Sequence, residues 1–190
     1  MLTQLRPALT LLVLLAALTG IAYPLGMTGV AGAIFPDQAN GSLVLRDGKV
    51  VGSRLIGQAF TRPEYFKPRP SAAGTGYDAS ASSGTNLGPT SAKLAERLMT
   101  DADALRAAGA TGPIPADAIT TSGSGLDPDI SPAYARAQVA GVATARGMAA
   151  ADVEALVVRN TAGRTFGILG EPRVNVLALN LALDQAAPKP

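Results

Sequence analysis

The stretch TSGSGLDPDIS, Thr121 to Ser131, places two Gly, three Ser and two Asp within eleven positions. Glycine-bracketed serines beside paired aspartates could supply a nucleophile, an aspartyl-phosphate acceptor or oxygen ligands for a cation. Each option meets an obstacle elsewhere in the chain. The sequence contains no His and no Cys. Ser124 therefore has no imidazole base, and thiolate or imidazole zinc sites are excluded. The register is also not the Gly-x-Ser-x-Gly elbow of hydrolases. Asp127 has no companion set of phosphate- or Mg²⁺-binding residues. Asp127 and Asp129 lie two apart, but Gly and Glu are missing from the positions an EF-hand loop needs. A structural reading is stronger. Gly123 and Gly125 permit unusual backbone angles, Asp127-Pro128 turns the chain, and Ser131-Pro132 opens a helix. The loop, with Ser124, Leu126, Asp127 and Asp129, is expected to serve structure or docking, or to attract ions, rather than to catalyse.

Two other loops carry polar groups. SSGTNLGPT, Ser82 to Thr90 with Asn86 inside it, could hold an anion on backbone amides. No Gly-Lys-Ser/Thr follows anywhere, so it is not a nucleotide P-loop, and a turn that caps a helix is the favoured reading. Arg62, Lys67 and Arg69 around KPRPS could meet phosphate, although such loops are more often solvated. No catalytic residue and no metal ligand set is assigned. Nucleic-acid binding is not expected, because the cations are scattered, aromatics make up 4% of the chain and there is no Trp.

The elements that position these loops begin with an uncharged run, Pro7 to Phe35. A helix over residues 9–35 would be ~40 Å long, enough to cross a ~30 Å hydrocarbon core. Ala16 and Gly20 have the small-xxx-small spacing that admits a close helix neighbour. Pro24 weakens the middle of the helix. A cleaved signal peptide is the alternative, with Ala31-Gly32-Ala33 as its cleavage site, but the run is long for one and a retained anchor is favoured. Either way, residues 36–190 form one exported domain after a short inner N-terminus, residues 1–8.

Within that domain, Ser42–Arg46 and Lys49–Leu55 read as a hairpin about Asp47-Gly48, with Arg54–Phe60 as an extension of its second strand. Pro63, Pro68 and Pro70 force an extended loop. Helices follow over Ser91–Ala108, with Leu94, Leu98, Ala102 and Leu105 inward, over Pro132–Arg146, and over Ala150–Asn160. VNVLALNLALDQ, Val174 to Gln185, reads as a buried helix with strand as runner-up. The fold class is α+β: a single membrane helix, then a domain with a β-hairpin and several helices.

Taken in order, GSRLIGQAF (Gly52–Phe60), YFKPRPSA (Tyr65–Ala72), SSGTNLGPT, TSGSGLDPDIS and LGEPRVNVLALNLALD (Leu169–Asp184) resemble the KdpC family. This is the C subunit of the bacterial Kdp high-affinity potassium-transporting ATPase. The resemblance covers nearly the whole chain. Ser83, Ser91 and Asp129 stand where the family commonly has Gly, Asn and His.

The resemblance implies an inner-membrane, single-pass subunit whose bulk is periplasmic. Its partners would be a channel-like potassium-binding subunit, a P-type ATPase subunit, a small helical subunit and the lipid membrane. Two roles attach to the family. One is a catalytic chaperone that raises the ATP affinity of the pump subunit, binding ATP through a glutamine, for which Gln58 and Gln138 are the candidates. The other is an assembly factor capping or filtering the outer mouth of the channel-like subunit. An outward domain does not meet cytoplasmic ATP, which favours the second. The alternative to both is an anchored periplasmic binding module, or a carboxylate-based hydrolase, acting alone.

Overall fold

The computed structural model describes residues 2–107, 109–110 and 112–187. The chain divides into two compact units, Met1–Val44 and Leu45–Pro190.

The first unit is dominated by one helix, Leu5–Ile34, of 30 residues and mean hydropathy 2.1. At ~1.5 Å per residue it is long and apolar enough to cross a membrane. It starts four residues before the expected boundary at Leu9. It consists of α1 (Leu5–Ala17), a π-helical turn (Leu18–Ala22) and α2 (Tyr23–Ile34). Pro24 explains the wide turn. Its ring has no N–H and crowds the carbonyl four residues back, at Gly20. The Tyr23 N–H instead reaches five residues back, to the Leu18 carbonyl. The hydroxyls of Thr19 and Thr28 donate to the carbonyls of Leu15 (2.7 Å) and Pro24 (2.8 Å). Both hydroxyls are thus satisfied within the helix, as hydrocarbon demands. Phe35 leaves helical geometry, and Pro36 opens the one-turn α3 (Pro36–Ala39).

The hairpin forms as the Asp47-Gly48 pair dictates. β1 (Leu43–Arg46) pairs with β2 (Lys49–Ser53). Asp47 and Gly48 both have positive φ, 51° and 73°, as a type I′ turn requires. The expected extension to Phe60 does not form. The Ser53 hydroxyl accepts the Leu55 N–H at 3.2 Å and turns the chain. The Gly57 N–H then goes to the Leu126 carbonyl at 2.7 Å rather than into a hairpin ladder.

Residues 61–89 form a loop without helix or strand, yet Phe66 and Ala73 within it are fully buried. Proline spacing denies this segment a strand ladder. Side-chain amides take its place. Asn180 accepts the Phe66 N–H (2.9 Å) and donates to the Phe66 carbonyl (3.0 Å). Gln138 does the same for Lys67, at 2.7 and 3.1 Å.

The remaining helices match their sequence signals closely. α4 (Ala92–Ala107) packs at the periphery, burying only Ala102 among its described residues. A single turn, α5 (Ala116–Ile119), follows. Ser131 caps α6 (Pro132–Arg146) by accepting the Tyr134 N–H, and Gly147 closes it at φ 65°. α7 (Ala150–Arg159) buries Val153, Leu156 and Val157. A small antiparallel sheet, order β3-β5-β4, then joins the distant segments β3 (Asp129–Ile130), β4 (Thr161–Ala162) and β5 (Arg173–Asn175). Ile130 and Thr161 both lie opposite Val174. The sequence signal at Val174 was therefore mixed: three residues are strand, then Asn175 caps α8 (Val176–Ala186) by accepting the Ala178 N–H. The core is built from Phe66, Tyr134, Val139, Val153, Val157, Val174, Leu179 and Leu183.

Asn180→Leu keeps the volume of the side chain but orphans the buried Phe66 N–H and carbonyl. We expect a loss of about 2–5 kcal/mol, read as a lower urea midpoint of the full chain in mild detergent. An unchanged midpoint would contradict the clamp.

Candidate functional site

The Thr121–Ser131 loop is laced to the segments on either side of it. The Ser83 N–H and the Ser82 hydroxyl both donate to the Ser124 carbonyl, at 3.0 and 2.9 Å. The Ser71 hydroxyl donates to the Gly125 carbonyl at 2.6 Å. The Ser124 hydroxyl accepts the Leu126 N–H, and the Leu126 carbonyl takes the Gly57 N–H. Gly125 sits at φ 68°, where a Cβ would meet the Ser83 carbonyl at 2.6 Å and the Ala73 nitrogen at 2.7 Å. Leu126 thus acts through its backbone, and Ser124 through both its carbonyl and its hydroxyl. Asn86 lies apart in this network: it is exposed, with a left-handed φ of 53°.

Both aspartates of the loop are paired. Asp127 meets Arg69 at 3.0 Å and accepts the Asp129 N–H at 3.0 Å. The same arginine donates to the carbonyl of Thr121 at 3.2 Å, so one side chain pins both ends of the turn. Asp129 meets Arg173 at 3.1 Å and Asn175 at 3.2 Å. Burial pushes the Asp129 carboxyl above the ordinary range, against the pull of Asn175 and Arg173. Asp117 holds the helix start: it accepts the Ser131 N–H (2.7 Å) and hydroxyl (2.9 Å). These groups line an open cleft of about 550 Å³ whose far wall is Gly170–Arg173. With an arginine on each loop aspartate, the pair presents little net field to a passing cation. Among the described residues there is no cluster of acidic groups that could hold a metal ion.

The turn that runs into that wall is the feature the sequence reading missed. Phe166, Ile168 and Leu169 are 89%, 75% and 57% exposed. They sit on a hydrogen-bonded turn. Thr165 and Leu169 exchange backbone hydrogen bonds at 2.8 and 3.0 Å. Arg164 grips both carboxylate oxygens of Glu171, at 2.8 and 2.6 Å. Phe166 itself adopts φ 54°, a conformation rare for an aromatic. The only sequence signal was TFGIL between two turn glycines, three large apolar residues where a loop should be polar.

The two glutamines do not share a site. Gln138 spends its carboxamide on Lys67, as described. Gln58 donates to the Ser53 carbonyl at 3.3 Å and lines a separate cavity of about 340 Å³ with Arg46, Phe60, Arg62, Tyr65 and Asp184. Asp184 is the hub of that wall. It takes Arg146 at 2.7 Å, Arg46 at 3.0 Å and the Tyr65 hydroxyl at 3.1 Å. Arg146, its side chain 3% exposed, also lies 4.9 Å from the centre of the Tyr65 ring. Burial pushes the Asp184 carboxyl up, but hydrogen bonds from Arg146, Tyr65 and Arg46 outweigh it and hold the group below its ordinary value.

Two outcomes follow from this geometry. Gly125→Ala should lower stability by about 2–4 kcal/mol, through left-handed strain and the backbone clash, seen as a lower thermal midpoint. The two carboxyls should also behave oppositely with pH. The lowered Asp184 contributes stability that is present above its unfolded value, about 3.9, and is lost as pH falls through the folded value. The raised Asp129 contributes stability that is present below that unfolded value and lost as pH rises through the folded one. Asp184→Asn should therefore flatten the acid limb of a stability–pH curve, and Asp129→Asn should not.

Comparison with known proteins fits this arrangement. The family model for KdpC, the c chain of K⁺-transporting ATPase, matches residues 5–185. The KdpC subunit of the potassium-transporting ATPase of Caulobacter vibrioides is 62% identical, over 99% of this chain and 96% of its own. Those of Methylorubrum populi and Bradyrhizobium diazoefficiens are 58% and 55% identical, covering 98% and 100% of this chain and 99% and 100% of theirs. With a match of that extent, reaching from the membrane helix through the laced loops to α8, the chain belongs to the KdpC family of potassium-transporting ATPase subunits.

Proposed function

We propose that the protein is the anchoring and docking subunit of a Kdp-type potassium importer. In this reading Leu5–Ile34 spans the inner membrane and the compact second unit lies on the periplasmic side. There it caps the outer mouth of the channel-like potassium-binding subunit and stabilises its assembly with the P-type ATPase and small helical subunits. The observation that carries the reading is the exposed apolar tip Phe166–Leu169, on a hydrogen-bonded turn beside the loop cleft. An exposed aromatic on a braced turn is what a protein interface uses as an anchor. The loop around Ser124, Leu126, Asp127 and Asp129 supplies the polar rim next to it. Ion attraction contributes little here, because each aspartate is neutralised by its arginine.

A second reading rests on the Gln58 cavity. Arg46 and Arg62 with the rings of Phe60 and Tyr65 offer cations and aromatic surface to an anionic planar ligand such as ATP. Under that reading the subunit raises the ATP affinity of the pump. Its test is nucleotide binding by the full chain, which Gln58→Ala plus Arg62→Ala should abolish. Under the docking reading the full chain shows no such binding.

The docking reading has its own test. Phe166→Ser plus Ile168→Ser alters side chains that contribute little to the core, so the chain should remain folded. Recovery of the multi-pass partner subunits with a tagged chain in mild detergent should fall roughly tenfold or more, as the loss of anchor residues implies. Undiminished recovery would remove the tip from the interface. A chain that purifies without partners in wild-type form would support a binding module acting alone.

A further inference from the structure

A second exposed apolar surface lies on the hairpin, and its chemistry differs from that of the tip. Leu45 and Val50 are 63% and 57% exposed, and Leu55, just past β2, is 60% exposed. A two-residue turn sets Leu45 opposite Val50 on one face of the hairpin. The other face is committed to the domain: Arg46 reaches Asp184 at 3.0 Å, and Val51 lines the Gln58 cavity. Asn175 donates to the Arg54 carbonyl at 3.0 Å and fastens the end of β2. The hairpin is therefore braced on its inner side and purely aliphatic on its outer side.

We infer that this outer face rests in the headgroup region of the bilayer. The surface carries Leu and Val with Arg54 just past the end of β2 and no aromatic. Protein interfaces concentrate their energy in Trp, Tyr and Arg, whereas aliphatic side chains bordered by cations suit the boundary of an anionic bilayer. The tether favours the same occupant. Ten residues, 35 to 44, separate the end of α2 from Leu45, a reach of at most ~40 Å fully extended. The inference rests on Leu5–Ile34 spanning the membrane. The hairpin then acts as a second lipid contact that fixes the tilt of the domain over its partners.

The sequence offers a clean probe, because it contains no Trp. Leu45→Trp and Val50→Trp would each be the sole tryptophan. Val158→Trp, at a residue 55% exposed on α7, is the reference, and Leu12→Trp reports insertion of the helix. The full chain would be reconstituted in phosphatidylethanolamine–phosphatidylglycerol vesicles with brominated acyl chains, alone and with its partner subunits. We expect Leu45→Trp and Val50→Trp to be quenched at least about twofold more than Val158→Trp in both settings, as burial at the acyl boundary requires. Two positions guard against a variant that fails to fold. Quenching of Leu12→Trp alone would overturn the hairpin inference and leave the membrane span intact. Failure of Leu12→Trp would overturn the span itself. Blue-shifted but unquenched emission that appears only with the partners would assign the face to a protein and overturn the lipid assignment.

Discussion

Two side-chain carboxamides hold the domain together at the place where its backbone cannot pair with itself. Pro63, Pro68 and Pro70 deny the Phe66–Lys67 segment a neighbouring strand, yet Phe66 is fully buried. Its backbone groups must find partners there. Asn180 from α8 and Gln138 from α6 each present one acceptor and one donor, which together imitate the edge of a strand. With that segment fixed, Arg69 is aimed at Asp127 and Thr121, and Ser71 at Gly125. The loops near the cleft inherit their shape from the core through a short chain of hydrogen bonds.

That dependence explains why a glycine- and serine-rich surface can be rigid without being reactive. The serines of TSGSGLDPDIS are spent on backbone contacts, and its aspartates on arginines. What remains for interaction is the apolar tip that projects from the same face and the cleft beside it. The family to which the chain belongs is one of potassium-transporting ATPase subunits.

Local rules made much of this legible in the sequence. Asp47-Gly48 announced its hairpin, Ser131-Pro132 and Gly147 bracketed α6, and the apolar run near the N-terminus announced a helix long enough for a membrane. The failures share one cause. β3, β4 and β5 are two or three residues long and pair with segments distant in the chain, as Asp129 does with Asn175 and Thr161 with Val174, so no local periodicity marks them. The extension of β2 failed for a similar reason: the Gly57 N–H is claimed by Leu126, a partner far along the chain. The role of Gln138 was equally hidden, because a glutamine on a helix gives no sign that a proline-rich loop awaits it. The exposed tip leaves a trace in composition, three large apolar residues between Gly163 and Gly170, but nothing local says that they stay at the surface.

The central claim is that one face, formed by residues 164–173 and 121–131, meets the partner subunits, while α4 makes no contact with them. Hydrogen–deuterium exchange of the full chain, alone and in the assembled complex, measures this directly. The account predicts that assembly slows exchange in those two segments and leaves α4 unchanged. Slowing confined to α4 or to the walls of the Gln58 cavity, with residues 164–173 exchanging as in the free chain, would contradict it.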